Sequence, residues 1–232
     1  MHQFFVESTL TRDAVVHLPS ELLRQIKTVL KLHPSEKIWL SDTQHIMEGE
    51  IQPDFSILLR REVAIKSTRT PITLYAALIR KERFEWMLQK ATELGVDHIV
   101  PLIMERNVVK WDDEPRKLQR YASIVREAAE QCHRVDLPVL RAPIKLKALN
   151  QHLHAVALVA YEMTDQTQSL MSVSLKGSDI GILIGPEGGI SEGELAFLRE
   201  HGWTAVGLGP RTLRAETAAL AALTLVNGRL DQ

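Results

Sequence analysis

Near the C-terminus of this chain an apolar strand-type run, a glycine-proline turn and a helical pattern follow one another twice, and that repetition restricts the fold to an α/β class. The first turn is Ile184-Gly185-Pro186-Glu187-Gly188-Gly189, after the run from Ile180 to Ile184. The second is Leu208-Gly209-Pro210-Arg211-Thr212-Leu213-Arg214-Ala215-Glu216-Thr217, after Ala205 to Leu208. Both loops are expected at the carboxyl ends of neighbouring strands, where open α/β sheets bind ligands. Glycine lets backbone approach a ligand closely and adopt positive φ, while proline stiffens the loop and removes a donor. Two such loops in succession point to one pocket.

The same alternation extends back to Thr70-Pro71. Strands are expected at Ile72 to Ile79, His98 to Met104, Val139 to Arg141, Ala155 to Tyr161, Asp179 to Ile184 and Thr204 to Leu208, in a mainly parallel sheet. Phe84, Met87, Leu88, Ala91 and Leu94 form one helical stripe that stops at Gly95. Leu118, Tyr121, Ala122, Val125, Ala128, Ala129 and Cys132 form a second. Ser191 and Glu194 have the spacing of a capping box, opening a helix that ends at His201-Gly202. Residues 71–232 are therefore expected to be one α/β domain.

Residues 1–70 differ. Short alternating runs at Glu36 to Ser41, Met47 to Gln52 and Ser56 to Ile65 suggest antiparallel strands. One helix is expected from Ser20 to about Leu32. Arg60, Arg61, Lys66 and Arg69 crowd the end of this β-rich module, as a solvated strand face or an RNA-facing strip.

With 25% charged residues and a net charge of −1, the chain is not a polycation built only to coat nucleic acid. Its single cysteine, Cys132, excludes an internal disulfide and any multi-cysteine zinc site, which fits a reducing compartment and makes the cytoplasm the expected location. The start of the chain lacks a signal-peptide pattern, and no apolar run is long enough for a membrane span. The nine histidines are scattered, and His152 with His154 lacks the company a metal site needs, so no metal is expected.

Neither glycine loop carries the lysine and hydroxyl residue of a Walker loop. Gly207-Leu208-Gly209 fails a dinucleotide fingerprint at the third glycine, where Thr212 stands. A ligand without phosphates, held by backbone amides and carbonyls of stiff loops, fits better, and an adenosyl group on a sulfonium is such a ligand.

These loops, with Lys81-Glu82-Arg83-x-Glu85, Gln89 to Val96, Glu105-Arg106 and Arg126-Glu127-Ala128-Ala129-Glu130-Gln131-Cys132 upstream, resemble those of the bacterial ribosomal RNA small-subunit methyltransferase E family. Its members are 16S rRNA N3-uridine methyltransferases of the SPOUT superfamily, and the resemblance spans nearly the whole chain. It implies a PUA-like β-barrel over residues 1–70, which binds RNA, and a SPOUT-type α/β domain with a C-terminal trefoil knot over 71–232. S-adenosyl-L-methionine would be the methyl donor, and the enzyme a homodimer acting on 16S rRNA within the small ribosomal subunit. The thin face of the last helix, at Ala218, Ala219, Ala221 and Ala222, suits either a dimer contact or core packing. The chain departs from the family pattern at His2 and Gln3, where arginines are usual, at Asp42-Thr43, and at Asn107.

On that resemblance Tyr161, Ile184, Gly185, Pro186, Gly188, Gly189, Leu208, Gly209, Leu213, Glu216, Thr217 and Ala218 would hold the cofactor. Uridine N3 must lose its proton as it attacks the methyl. Arg214 is the first choice to stabilise the developing uracil anion, with Glu187 and Glu162 to orient the base or accept the proton. Three bland alternatives stand beside these roles: Glu187 bracing its loop, Glu162 holding the cofactor ammonium, and Arg214 pairing with Glu216. Arg80, Lys81, Arg83, Arg106, Arg126 and Arg134 are the candidate RNA contacts. A non-catalytic RNA-binding assembly factor and an oxidoreductase with a degenerate dinucleotide site are the competing functions. Gly209→Val is expected to remove cofactor binding with little loss of fold.

Overall fold

A computed structural model describes residues 1–63, 70–112, 115–149, 154–162 and 168–230. The chain divides into two units. One comprises Met1–Ser67 together with Ala129–Leu137, the other Thr68–Ala128 with Pro138–Gln232.

The first unit is built on β1 (Gln3–Phe5), β2 (Val15–Val16), β3 (Lys37–Ser41), β4 (Ile46–Ile51) and β5 (Ile57–Glu62), ordered β1-β3-β4-β5-β2. The three runs read from alternation pair antiparallel, as expected, while β1 joins β3 in parallel. Alternate residues of these strands, Ile38, Leu40, Ile57 and Leu59 among them, meet Phe4 and Ile26 in one core. The expected helix is α1 (Ser20–Arg24) continuing as a π turn over Gln25–Val29, with the Leu30 N–H bonded to Gln25 O at 2.9 Å. It stops before Leu32 because Lys31 takes φ +53.

The strip at the end of this module is not a row of open cations. Arg61 donates to Glu48 at 3.2 and 3.0 Å, Lys37 to the same carboxylate at 3.1 Å, and Arg60 to Glu50 at 3.1 Å. Lys66 and Arg69 lie outside the described residues. The segment Ala129–Leu137 belongs here through long-range bonds: the Gln3 amide donates to Arg134 O, the Phe5 N–H to Glu130 at 3.1 Å, and the Ser41 hydroxyl to Val135 O at 2.7 Å.

The second unit contains β6 (Ile72–Ala77), α2 (Lys81–Glu93), β7 (His98–Ile103), α3 (Pro115–Gln131), β8 (Val139–Leu140), β9 (Ile144–Lys145), β10 (Val156–Ala160), β11 (Gln168–Ser169), β12 (Ile180–Ile184), α4 (Glu192–Glu200), β13 (Thr204–Gly207) and α5 (Ala215–Leu230). α3 runs past the boundary, its last residues belonging to the first unit. The strands are parallel, ordered β11-β13-β10-β12-β6-β7-β8, and β9 pairs with β7. All six expected strands are present within a residue or two of their expected ends. The two-residue β9 and β11 are too short to leave a periodic signal.

β6 and β12 are buried along their whole length, the burial pattern of interior parallel strands covered on both faces. α2 buries Phe84, Met87, Leu88 and Ala91 and ends at Gly95 with φ +88. Ser191 and Glu194 close the capping box reciprocally. Ala218, Ala219 and Ala222 are buried within the chain, where α5 packs on α2, so the alanine face is used in core packing.

Candidate active site

β12 and β13 are not neighbours. The crossover through α4 carries the chain past β10, which lies between them and pairs with both. Three strand ends therefore converge rather than two: the loop after Ile184, the loop after Gly207, and Tyr161-Glu162 leaving β10. Together they enclose a cleft of about 520 Å³ at the carboxyl edge of the sheet, within the usual range for a small-molecule site.

Of the expected cofactor contacts, Tyr161, Ile184, Gly185, Pro186, Gly188, Gly189, Leu208, Gly209, Leu213 and Ala218 line this cleft. Thr217 is exposed and Glu216 is turned to Arg83, and neither lines it. The helical repeat explains this, because Ala215 and Ala218 occupy the cleft side of the first turn of α5 and residues between them point elsewhere. Ala160, Ile190, Pro210, Arg211, Thr212 and Ala215 line the cleft without having been singled out. Ala160 and Ile190 adjoin motif residues and the other four lie within the second loop motif, which was the available signal.

The glycines serve different needs. A Cβ on Gly185 would stand 2.5 Å from Ile190 Cγ1, and one on Gly188 would stand 2.9 Å from the Arg106 carbonyl oxygen. Those two are required by protein neighbours rather than by a ligand. Gly189 and Gly209 take φ +74 and +123, and among the described residues beyond its chain neighbours no heavy atom lies within 4 Å of a would-be Cβ on Gly209. Gly209 is thus the position where backbone faces open space, and any L side chain there strains the chain whatever the room. Gly209→Val would therefore cost stability as well as binding, contrary to the expectation from sequence.

The loop after β12 is fixed by its own turn and from outside. The Gly189 N–H bonds Pro186 O at 2.9 Å, the Ser191 hydroxyl donates to Glu105 at 2.7 Å, and the Glu105 N–H donates to Glu194 at 2.7 Å. Arg106, next in line, directs its guanidinium to Gly188 O at 3.4 Å.

Charge in the cleft is mixed. Arg83, Glu162, Glu187, Arg211 and Arg214 all line it. Arg83 lies 3.8 Å from Glu187 and 3.7 Å from Glu216. Glu216 thus pairs with Arg83 and not, as the alternative reading had it, with Arg214. Arg211 and Arg214 are exposed and engage no partner among the described residues.

The expected RNA contacts are scattered. Arg80 and Lys81 are exposed where α2 begins, after β6, and Arg126 is exposed on α3. Arg134 departs from expectation: its side chain is only 9% exposed and is ion-paired with Asp136, a structural use within the first unit that leaves no free head group for phosphate.

At the opposite, amino-terminal edge of the sheet, His154 bridges the Tyr75 hydroxyl at 2.8 Å and Asp179 at 2.6 Å. Burial pushes the Tyr75 phenol up. Burial acts the same way on Asp179, but the Ala155 N–H and His154 outweigh it and hold that carboxyl below its ordinary value. His152 lies outside the described residues. No group of metal-ligating side chains is present among the described residues.

A parallel α/β sheet whose strand ends build a loop-lined cleft defines a class, and residues 66–227 match the family model of the RNA methyltransferase domain. The similarity extends beyond that domain. The chain is 31% identical to the ribosomal RNA small subunit methyltransferase E of Bacillus subtilis strain 168, over 98% of this chain and 96% of that one. It is 29% identical to the protein of the same name from Mycobacterium bovis, covering 96% and 90%. The crystal structure of the Neisseria gonorrhoeae ribosomal RNA small subunit methyltransferase E bound to S-adenosyl methionine superposes with a TM-score of 0.90 at 29% identity, covering 99% of this chain and 98% of that one. The chain belongs to the ribosomal RNA small subunit methyltransferase E family.

Proposed function

We propose that this protein is an S-adenosyl-L-methionine-dependent methyltransferase that modifies N3 of a uridine in 16S rRNA of the small ribosomal subunit, working in the cytoplasm as a homodimer. The observation that carries the reading is the convergence of Tyr161-Glu162 and both glycine-proline loops on one cleft. The homodimer, the PUA-like character of the first unit and the trefoil knot follow from the family resemblance.

The residues present fit the cofactor. The cleft has the volume for an adenosyl group, and among the described residues Gly209 leaves open space beside its backbone. The backbone of Ile184, Gly185, Gly188, Leu208, Gly209 and Leu213 would cradle adenine and ribose. When bound, S-adenosyl-L-methionine supplies an electrophilic methyl group on a sulfonium. Arg214, exposed on the cleft lining and without an ion pair among the described residues, would stabilise negative charge on a uracil ring as its N3–H is lost. Glu162 and Glu187 are the cleft carboxylates available to orient the base or accept that proton. Arg80, Lys81, Arg106 and Arg126 would position RNA phosphates.

The test is incubation with isotope-labelled S-adenosyl-L-methionine and small-subunit particles, followed by mass spectrometry of the RNA. Label on N3 of one uridine is the expected result. Bound cofactor with no transfer to RNA would instead favour an assembly factor, and label at another atom would overturn the N3 assignment.

A further inference from the structure

One cation is shared by Glu187, which lines the cleft, and Glu216, which does not. Arg83 extends from α2 with Nη1 3.8 Å from Glu187 Oε1 and Nε 3.7 Å from Glu216 Oε1. Glu187 Oε1 also accepts the Arg80 backbone N–H at 3.5 Å. The Glu216 side chain is only 10% exposed. A planar guanidinium offers donors along more than one edge and so can face two carboxylates at once, whereas an ammonium is a single point of charge. Glu162 is held differently. Its Oε1 packs against Gly189, 3.0 Å from where a Cβ would stand, and it has no ion-pair partner among the described residues.

The geometry points to Arg83 as a positioning residue of the transfer site, one that commits Glu187 and Glu216 to a fixed ion-paired cluster and leaves Glu162 as the carboxylate that takes the substrate's proton. This division of labour rests on the methyltransferase reading above. In the step itself the ring N–H bond breaks and an O–H bond forms on Glu162. The electron pair stays on nitrogen as the nucleophile, and Glu162 afterwards gives the proton to water.

Single-turnover methyl transfer to small-subunit particles across the neutral and alkaline range, with calorimetry of S-adenosylhomocysteine binding, tests the assignment on Glu162→Gln, Arg83→Met and Arg83→Lys. Glu162→Gln is expected to react roughly 100-fold more slowly at neutral pH. It should regain about tenfold per pH unit as alkali ionises the ring nitrogen, with product affinity within about threefold of wild type. Arg83→Met should lose roughly tenfold in rate through misplaced loops while keeping the wild-type pH profile, and Arg83→Lys should recover part of that loss. Wild-type rate and profile in Glu162→Gln overturn the assignment. So does a Glu162→Gln enzyme that loses product affinity and is restored by saturating cofactor, which would place Glu162 on the cofactor ammonium. Full rate in Arg83→Met, or in Arg83→Lys should the methionine variant not fold, removes Arg83 from the mechanism. Wild-type protein that neither binds S-adenosylhomocysteine nor transfers a methyl group refutes the methyltransferase reading itself.

Discussion

Glu48→Gln separates charge from shape in the first unit. Glu48 stands on β4 with its side chain only 4% exposed, between Lys37 at 3.1 Å and Arg61 at 3.0 Å. The side-chain hydrogen bond from Arg61, then that from Lys37, outweigh burial and bring its carboxyl from an ordinary 4.5 to about 2. A shift of that size corresponds to about 3 kcal/mol at most. Both cationic head groups are more than half exposed, so solvent screening reduces the expected contribution to about 1–2 kcal/mol. The folded-state pKa lies below the unfolded one. The stabilisation is therefore full above about pH 4.5 and is lost as pH falls towards 2. Glutamine cannot titrate, so urea unfolding of wild type and variant should differ by about 1–2 kcal/mol at neutrality and converge near pH 2. A difference that stays constant over that range would mean that shape, not charge, is what the substitution disturbs. No difference at neutrality would refute the ion-pair argument altogether.

Tyr75→Phe removes the hydroxyl bonded to His154 Nε2 and leaves a buried ring nitrogen without its partner, so thermal unfolding should report a loss of about 1–3 kcal/mol. Gly209→Ala, at φ +123 with no steric neighbour, should cost about 1–3 kcal/mol through the backbone alone and weaken S-adenosylhomocysteine binding in calorimetry. Unchanged stability would show that the loop relaxes freely. Gly188→Ala places a Cβ 2.9 Å from the Arg106 carbonyl oxygen, a backbone atom that cannot swing aside. The cleft loop must shift, and product affinity is expected to fall by roughly tenfold while the melting temperature drops by a few degrees.

What the chain declares by itself is local. Alternating and continuous apolar runs announce the strands, Ser191 and Glu194 announce the start of α4, and Gly95 announces the end of α2, because each depends on bonds or burial within a turn or two of the residues concerned. The two glycine-proline loops could be placed at strand ends for the same reason, and most of the cleft lining followed from them. Other features depend on residues far apart in sequence, and only the folded chain decides those. Periodicity carries no information on strand order, so the entry of β10 between β12 and β13 was not legible, although the family resemblance had already named Tyr161 and Glu162 at its end. The same holds for the return of Ala129–Leu137 to the first unit. The glycines show the limit most directly. Their flexibility can be read from composition, but whether a Cβ would meet Ile190, Arg106 or open space depends on packing between segments that only tertiary burial brings together. Arg83 reads from sequence as a cation beside a pocket, and it becomes the partner of Glu187 and Glu216 because the folded sheet delivers two distant carboxylates to one guanidinium.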